Sequence, residues 1–168
     1  PMAINQMIAH HGVIMRPADR RIWVSAWPYQ MGAFVCYDLR DVFARCAMDS
    51  ISGPINDPSR TIAADPYLST PAFAEQQWWQ EQRTRIALAG MTGKTIAFTP
   101  AEEARFLAAA PDSYITRIAL GDLHRLRGGM AEAADHYRAA LALPLPSLQE
   151  RTRLEERLRE CDQTTTAP

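Results

Sequence analysis

The residues of this chain best equipped for chemistry are Cys36, Cys46 and Cys161 and the adjacent pair His10 and His11. The cysteines are far apart and form no C-x-x-C pair. That spacing argues against a disulfide framework and a zinc site and leaves separate free thiols. Cys36 stands in a strand-like run, where a small buried apolar role is the default. Histidine is the side chain that changes charge near neutral pH, so His10 and His11 are pocket candidates, or else a loop histidine beside a structural one. Trp27, Tyr29 and Gln30 combine aromatic surface with polar handles. That mixture suits the wall of an acyl-binding cleft and equally the covered edge of a core. Ser25 has no Ser/His/Asp order around it and is not read as a nucleophile. No metal ligands and no cofactor are expected.

The elements that must position these residues lie in one stretch, residues 10–39. Gly12-Val13-Ile14-Met15 is a short apolar run, and Arg16-Pro17-Ala18-Asp19-Arg20 has turn chemistry. Arg21-Ile22-Trp23-Val24-Ser25 is rich in β-branched and aromatic residues and should return as the second strand of a hairpin. Pro28 ends that strand, Gly32 permits a sharp change of direction, and Phe34-Val35-Cys36-Tyr37 reads as a third strand. Asp38 is placed to cap a short helix carrying Leu39, Val42 and Phe43.

Beyond Cys46 the text changes. Ser, Gly, Pro, Asn and Asp recur to about residue 69, which predicts a connecting loop. Thr70-Pro71 opens a helix expected to stop at Gly90, with no single apolar stripe and hence two surfaces to contact. Thr99-Pro100-Ala101-Glu102 is a capping box opening the next helix. Further helices are predicted from Asp112 or Ser113 to the glycine pair 128–129, from Met130 to Leu143, and from Ser147 to about Asp162. The charged face of the last (Arg151, Arg153, Glu155, Glu156, Arg157, Arg159) should be solvated, with ion pairs inside the helix. Residues 163–168 should be a disordered tail. The expected class is therefore α+β: an N-terminal antiparallel hairpin or meander over residues 1–45, a loop over 46–69, and a mainly α-helical region over 70–162.

Composition excludes several classes. The 168 residues are 47% hydrophobic and 22% charged, as in globular proteins. The 18 basic and 19 acidic residues leave a formal charge of -1, so no global field attracts nucleic acid, and no nucleic-acid partner is expected. No run of about 18 apolar residues is present, so no membrane span is expected. The opening residues lack the basic and apolar regions of a signal peptide, and the compartment is left open.

Two resemblances add to this. Leu120, Gly121, His124, Ala133, Tyr137, Ala140 and Pro144 lie close to the tetratricopeptide pattern, in which small residues let paired helices approach while a tyrosine fills the gap between them. One such hairpin is visible. Since about three repeats are needed for an independent stack, it should dock on something else, and a peptide-binding groove is not expected from it. An ordinary helical hairpin built with small residues is the alternative.

The second resemblance rests on H-x-V-I-x-x-P-x-x-R-x-I-W-V-S, from His11 to Ser25, followed by P-Y-Q-x-G-x-F-V-x-Y-D-L, from Pro28 to Leu39. This stretch resembles the C-terminal part of the autoproteolytic acyltransferase family, the N-terminal-nucleophile hydrolases related to acyl-coenzyme A:6-aminopenicillanic acid acyltransferase. The resemblance implies a four-layer αββα sandwich. It implies a cysteine, freed by self-cleavage, that attacks an amide or thioester carbonyl with its own α-amino group as base. Residue 1 here is Pro1, and no cysteine of this chain stands in that position. The expectation is that the chain is the C-terminal part of such an enzyme, inactive alone, with no catalytic residue of its own and the nucleophilic cysteine upstream. Its partners would be the rest of the enzyme chain and a small acyl or amide substrate, with His10, His11, Trp27, Tyr29 and Gln30 as pocket candidates. The alternative is a non-catalytic helical interaction module.

Overall fold

The β-branched and aromatic residues between 13 and 25 pair with one another as their alternation predicts. In the computed structural model, which describes residues 11–28, 30–47 and 53–165, β1 (Val13–Arg16) and β2 (Arg21–Ser25) form an antiparallel hairpin. A 3-10 turn at Pro17–Asp19 joins them. Proline presets the φ that the turn needs, and Arg20 closes it with φ at 53° and its N–H on the Pro17 carbonyl at 3.0 Å. β3 (Phe34–Asp38) pairs antiparallel with β2, and Gly32 makes the return possible, because a β-carbon there would collide with the Ala26 and Trp27 carbonyls.

A fourth strand, β4 (Asp57–Ile62), pairs antiparallel with β3, giving the order β1-β2-β3-β4. This corrects the expectation of loop across residues 46–69. Asp57-Pro58-Ser59-Arg60-Thr61-Ile62 has no apolar alternation and carries a proline. Both are tolerated because β4 is an edge strand with an irregular register against β3. Its place is held partly by the Trp23 indole, whose Nε1 donates to the Arg60 carbonyl at 2.9 Å. After β3, α1 (Leu39–Cys46) starts where expected, with the Asp38 carboxylate accepting from the Arg40 N–H at 3.1 Å.

The register sorts the sheet into two unlike faces. On one lie Ile14, Trp23 and Cys36 in a row, with Arg21 opposite Asp38 and Ser25 opposite Phe34. This face holds the buried Cys36 and Ser25. On the other lie Val13, Val24 and Val35, then Met15, Ile22 and Tyr37, and none of these is buried.

The chain divides into two compact units, Pro1–Phe73 and Ala74–Pro168. The second is helical: α2 (Pro71–Thr92), α3 (Pro100–Ala109), α4 (Tyr114–Leu126), α5 (Met130–Leu141) and α6 (Leu148–Thr165). α2 runs through Gly90 and stops at Thr92; the glycine with the left-handed φ that ends helices is Gly93, at 66°. Along α2, Trp79, Gln82, Ile86 and Ala89 are buried at three- and four-residue spacing, while Phe73 meets the Tyr67 ring edge-on at 5.8 Å. The Thr99 capping box of α3 is present in full. α6 continues to Thr165, past the residue at which the tail was expected to begin.

Two apolar clusters hold these helices. In the first, Trp79 stacks on Phe106 at 5.8 Å with Phe98 edge-on at 6.1 Å, joined by Ile86, Leu120 and Leu123. The buried Trp79 N–H is satisfied by the Thr116 hydroxyl at 3.1 Å. In the second, Ala133, Ala134, Tyr137 and Ala140 of α5 meet Leu154 and Cys161 of α6. The hairpin that resembles a tetratricopeptide unit is α4–α5, and α6 packs along it.

Candidate functional site

The start of the sheet gathers part of the predicted site. Ser25 is 5% exposed, its Oγ accepts the Gly12 N–H at 2.6 Å, and its own N–H donates to the Gly12 carbonyl at 2.9 Å. Its hydroxyl therefore closes the end of the hairpin. Gln30 reaches the same place from the β2–β3 connection, its Nε2 donating to the His11 carbonyl at 2.9 Å. So His11 and Gln30 are brought together, through the main chain of His11, while the His11 side chain is exposed. Trp27, followed by the cis Trp27–Pro28 peptide, is 81% exposed. His10 and Tyr29 lie outside the described residues.

The cysteine environments bear on nucleophilic chemistry. Burial pushes the Cys36 thiol up, and the nearby Asp57 carboxylate adds to this. Burial does the same to Cys161. Both are therefore held as thiols, the unreactive form. Among the described residues no group of three or more His, Cys, Asp and Glu is placed to hold a metal ion. No described helix is long and apolar enough to cross a membrane.

Charges on the sheet unit gather at the tip of the hairpin. Arg16 and Arg21 face Asp19 at 2.7 and 3.5 Å, and Arg40 binds Asp38 through Nε at 3.2 Å and Nη2 at 3.1 Å. Arg21 Nε lies 3.3 Å from Asp38 but outside hydrogen-bonding geometry. The hydrogen bond from Arg40 holds the Asp38 carboxyl at about 2, well below its ordinary value.

The helical unit contributes a groove of about 600 Å³ that sequence reasoning did not anticipate. One wall is apolar, from Ile86, Gly90 and Met91 of α2; the other carries Asp122 and Arg125 of α4 with Arg157 and Glu160 of α6. Arg157 binds Asp122 at 3.0 Å and Arg125 binds Glu160 at 3.1 Å, so α6 is tied to α4. This corrects the expectation that Arg157 is solvated and paired within its own helix. Asp122 also accepts the Tyr137 hydroxyl at 2.7 Å. Burial first, and then the Asp122 charge, push the Tyr137 phenol far up, so it stays a proton donor. The sequence signal for Asp122 was its place one residue after the Gly121 of the repeat-like pattern; nothing local pointed to Arg157.

The most extensive unassigned feature is the second face of the sheet. Val13 and Met15 on the edge strand are 50% and 69% exposed, and Ile22, Val24, Val35 and Tyr37 beside them are not buried. Ile14, on the opposite face, is 44% exposed as well, so the edge strand β1 is the part of the sheet that shows most apolar surface. No protein-family model, no curated protein and no solved structure matches the chain.

Proposed function

We propose that this chain is the C-terminal part of a cysteine N-terminal-nucleophile acyltransferase or linear-amide hydrolase. In this reading it contributes late strands of an αββα sandwich and a helical appendage, the nucleophile lies on a segment outside this sequence, and the chain is inactive alone. The single observation that carries the reading is the apolar sheet face of Val13, Met15, Ile22, Val24, Val35 and Tyr37. Sheets of a sandwich stack about 10 Å apart with their inner side chains interdigitated, and an antiparallel sheet with one such face is the part that one layer would contribute. The resemblance of residues 11–39 supplies the chemistry; the apolar face, exposed at Val13 and Met15, supports a second sheet against it. His11 and Gln30 would then sit at the rim of the cleft, with the acyl or amide substrate bound between this chain and the rest.

The test is to express the longer polypeptide that includes the segment preceding Pro1 and to assay acyl transfer and amide hydrolysis. The expected result is self-cleavage that frees a cysteine, activity on an amide or thioester, and loss of activity on Val24→Asp. An upstream segment with no strands and no cysteine at a cleavage site would overturn the reading.

A second reading, a non-catalytic helical docking module, is favoured by the groove between α2, α4 and α6, where Met91 is 85% exposed. It predicts that Met91→Glu abolishes partner binding while Val24→Asp leaves it intact, the reverse of the outcome for the enzyme.

A further inference from the structure

Two imidazoles are stacked where α3, α4 and α5 meet. The His124 and His136 rings are 5.3 Å apart between centroids with 17° between their planes. His124 Nε2 lies 3.3 Å from Glu103 Oε2 on α3. The other oxygen of that carboxylate accepts from Arg127 Nη1 at 2.6 Å, and Arg127 Nη2 donates to the Phe98 carbonyl, also at 2.6 Å. One carboxylate thus serves a guanidinium and an imidazole together. From α4, Arg117 adds positive charge to the surroundings of His136. Glu103 acts on His136 in the opposite sense but is already engaged by Arg127 and His124, and from α5 itself Asp135 does so too but is 79% exposed and bound to Arg138 at 3.0 Å, with Glu132 exposed one turn earlier. The cluster has compensation for one imidazolium and little for a second.

We propose that the His124–His136 stack is an acid-sensitive latch on the α4–α5 hairpin. A single protonation strengthens the tie between α4 and Glu103 of α3. A second places like charges face to face between α4 and α5 and drives the helices apart. Tyr137 follows His136 directly in α5, so the movement also draws its hydroxyl away from Asp122, which keeps its Arg157 partner. The lowering of the His136 pKa by burial, by His124 and by Arg117 agrees with this arrangement. Because the group is depressed in the folded state, its contribution is present above the ordinary value of 6.5 and is lost as the pH falls through the folded value.

The experiment follows histidine ring resonances and amide exchange of the full chain from about pH 8 to about pH 4, a range that spans histidine titration. The expected result is two macroscopic midpoints for the pair separated by about one pH unit or more, with exchange protection in α4 and α5 falling at the lower one. His136→Phe, which keeps a ring on His124 without a second charge, should retain that protection at acid pH. Should His136→Phe fail to fold, His136→Gln carries the same test, and Glu103→Gln should lower the upper midpoint while the two stay separate. The latch is overturned if the rings titrate together with a single midpoint, or if protection is lost at the same pH in the His136 variant as in the original chain.

Discussion

Gly121 lies beneath the Tyr137 ring so closely that a β-carbon on residue 121 would overlap Cδ1 and Cε1 of the ring. The tyrosine is fully buried and its hydroxyl is held by Asp122, so the ring has nowhere to yield. Gly121→Ala therefore sets two effects against each other. Alanine favours a helix interior by about 1 kcal/mol, while overpacking a filled site costs about 1–3 kcal/mol. With contacts this short the clash should win, with a net loss of up to about 2 kcal/mol in urea unfolding. A stability unchanged or raised would show that the hairpin has slack.

Tyr137→Phe removes one hydrogen bond and leaves Asp122 its Arg157 partner, so it should cost about 1 kcal/mol. Asp122→Ala strands the Tyr137 hydroxyl and Arg157 together and should cost more, about 1–3 kcal/mol. Chemical denaturation of the two variants orders them, and equal losses would refute the shared role of Asp122.

Ser25→Ala leaves the Gly12 N–H without its acceptor in a partly covered site, at a cost of about 1 kcal/mol. Faster amide exchange at Gly12 is the expected signature. In the assembled enzyme of the proposed reading, Ser25→Cys should restore no activity, because this side chain closes a hairpin.

Asp38 links the sheet to α1 as helix cap and as partner of Arg40. Its folded value is depressed to about 2 from 3.8, so its contribution is complete above pH 3.8 and fades as the pH falls toward 2. Amide protection factors in α1, corrected for intrinsic exchange, should fall across that window and not above it. Asp38→Asn should lose the ion pair with Arg40 and flatten the response.

Met15→Lys on the bare sheet face should change the stability of this chain by no more than about 0.5 kcal/mol, since the side chain already lies in water. Under the proposed reading, the same substitution should prevent assembly with a second sheet. A large loss of stability in the isolated chain would mean that the face is covered from within.

Much of the fold was legible because its signals are local. Asp38, Thr70 and Thr99 each accept a backbone N–H within three residues, and such caps are written in consecutive residues. The hairpin could be read from a turn flanked by β-branched runs. Gly90 misled because a glycine within a helix and a glycine that ends one are the same residue; what separates them is the backbone angle, which the chain adopts at Gly93. β4 was hidden for a related reason. An edge strand satisfied by main-chain bonds and by the Trp23 indole needs no alternation of its own.

By itself the sequence determined where most helices begin, that residues 13–38 form antiparallel strands, and that Gly121 and Tyr137 belong to one close-packed hairpin. These depend on dihedral preferences, capping and periodicity, which act over a few residues. Tertiary structure alone decided that Arg157 reaches across 35 positions to Asp122, that His124 and His136 stack, and that Val13 and Met15 on the edge strand stay exposed. Such relationships depend on which surfaces meet once the elements pack, and period-two alternation, which marks a strand's apolar side, carries no information about what will cover it.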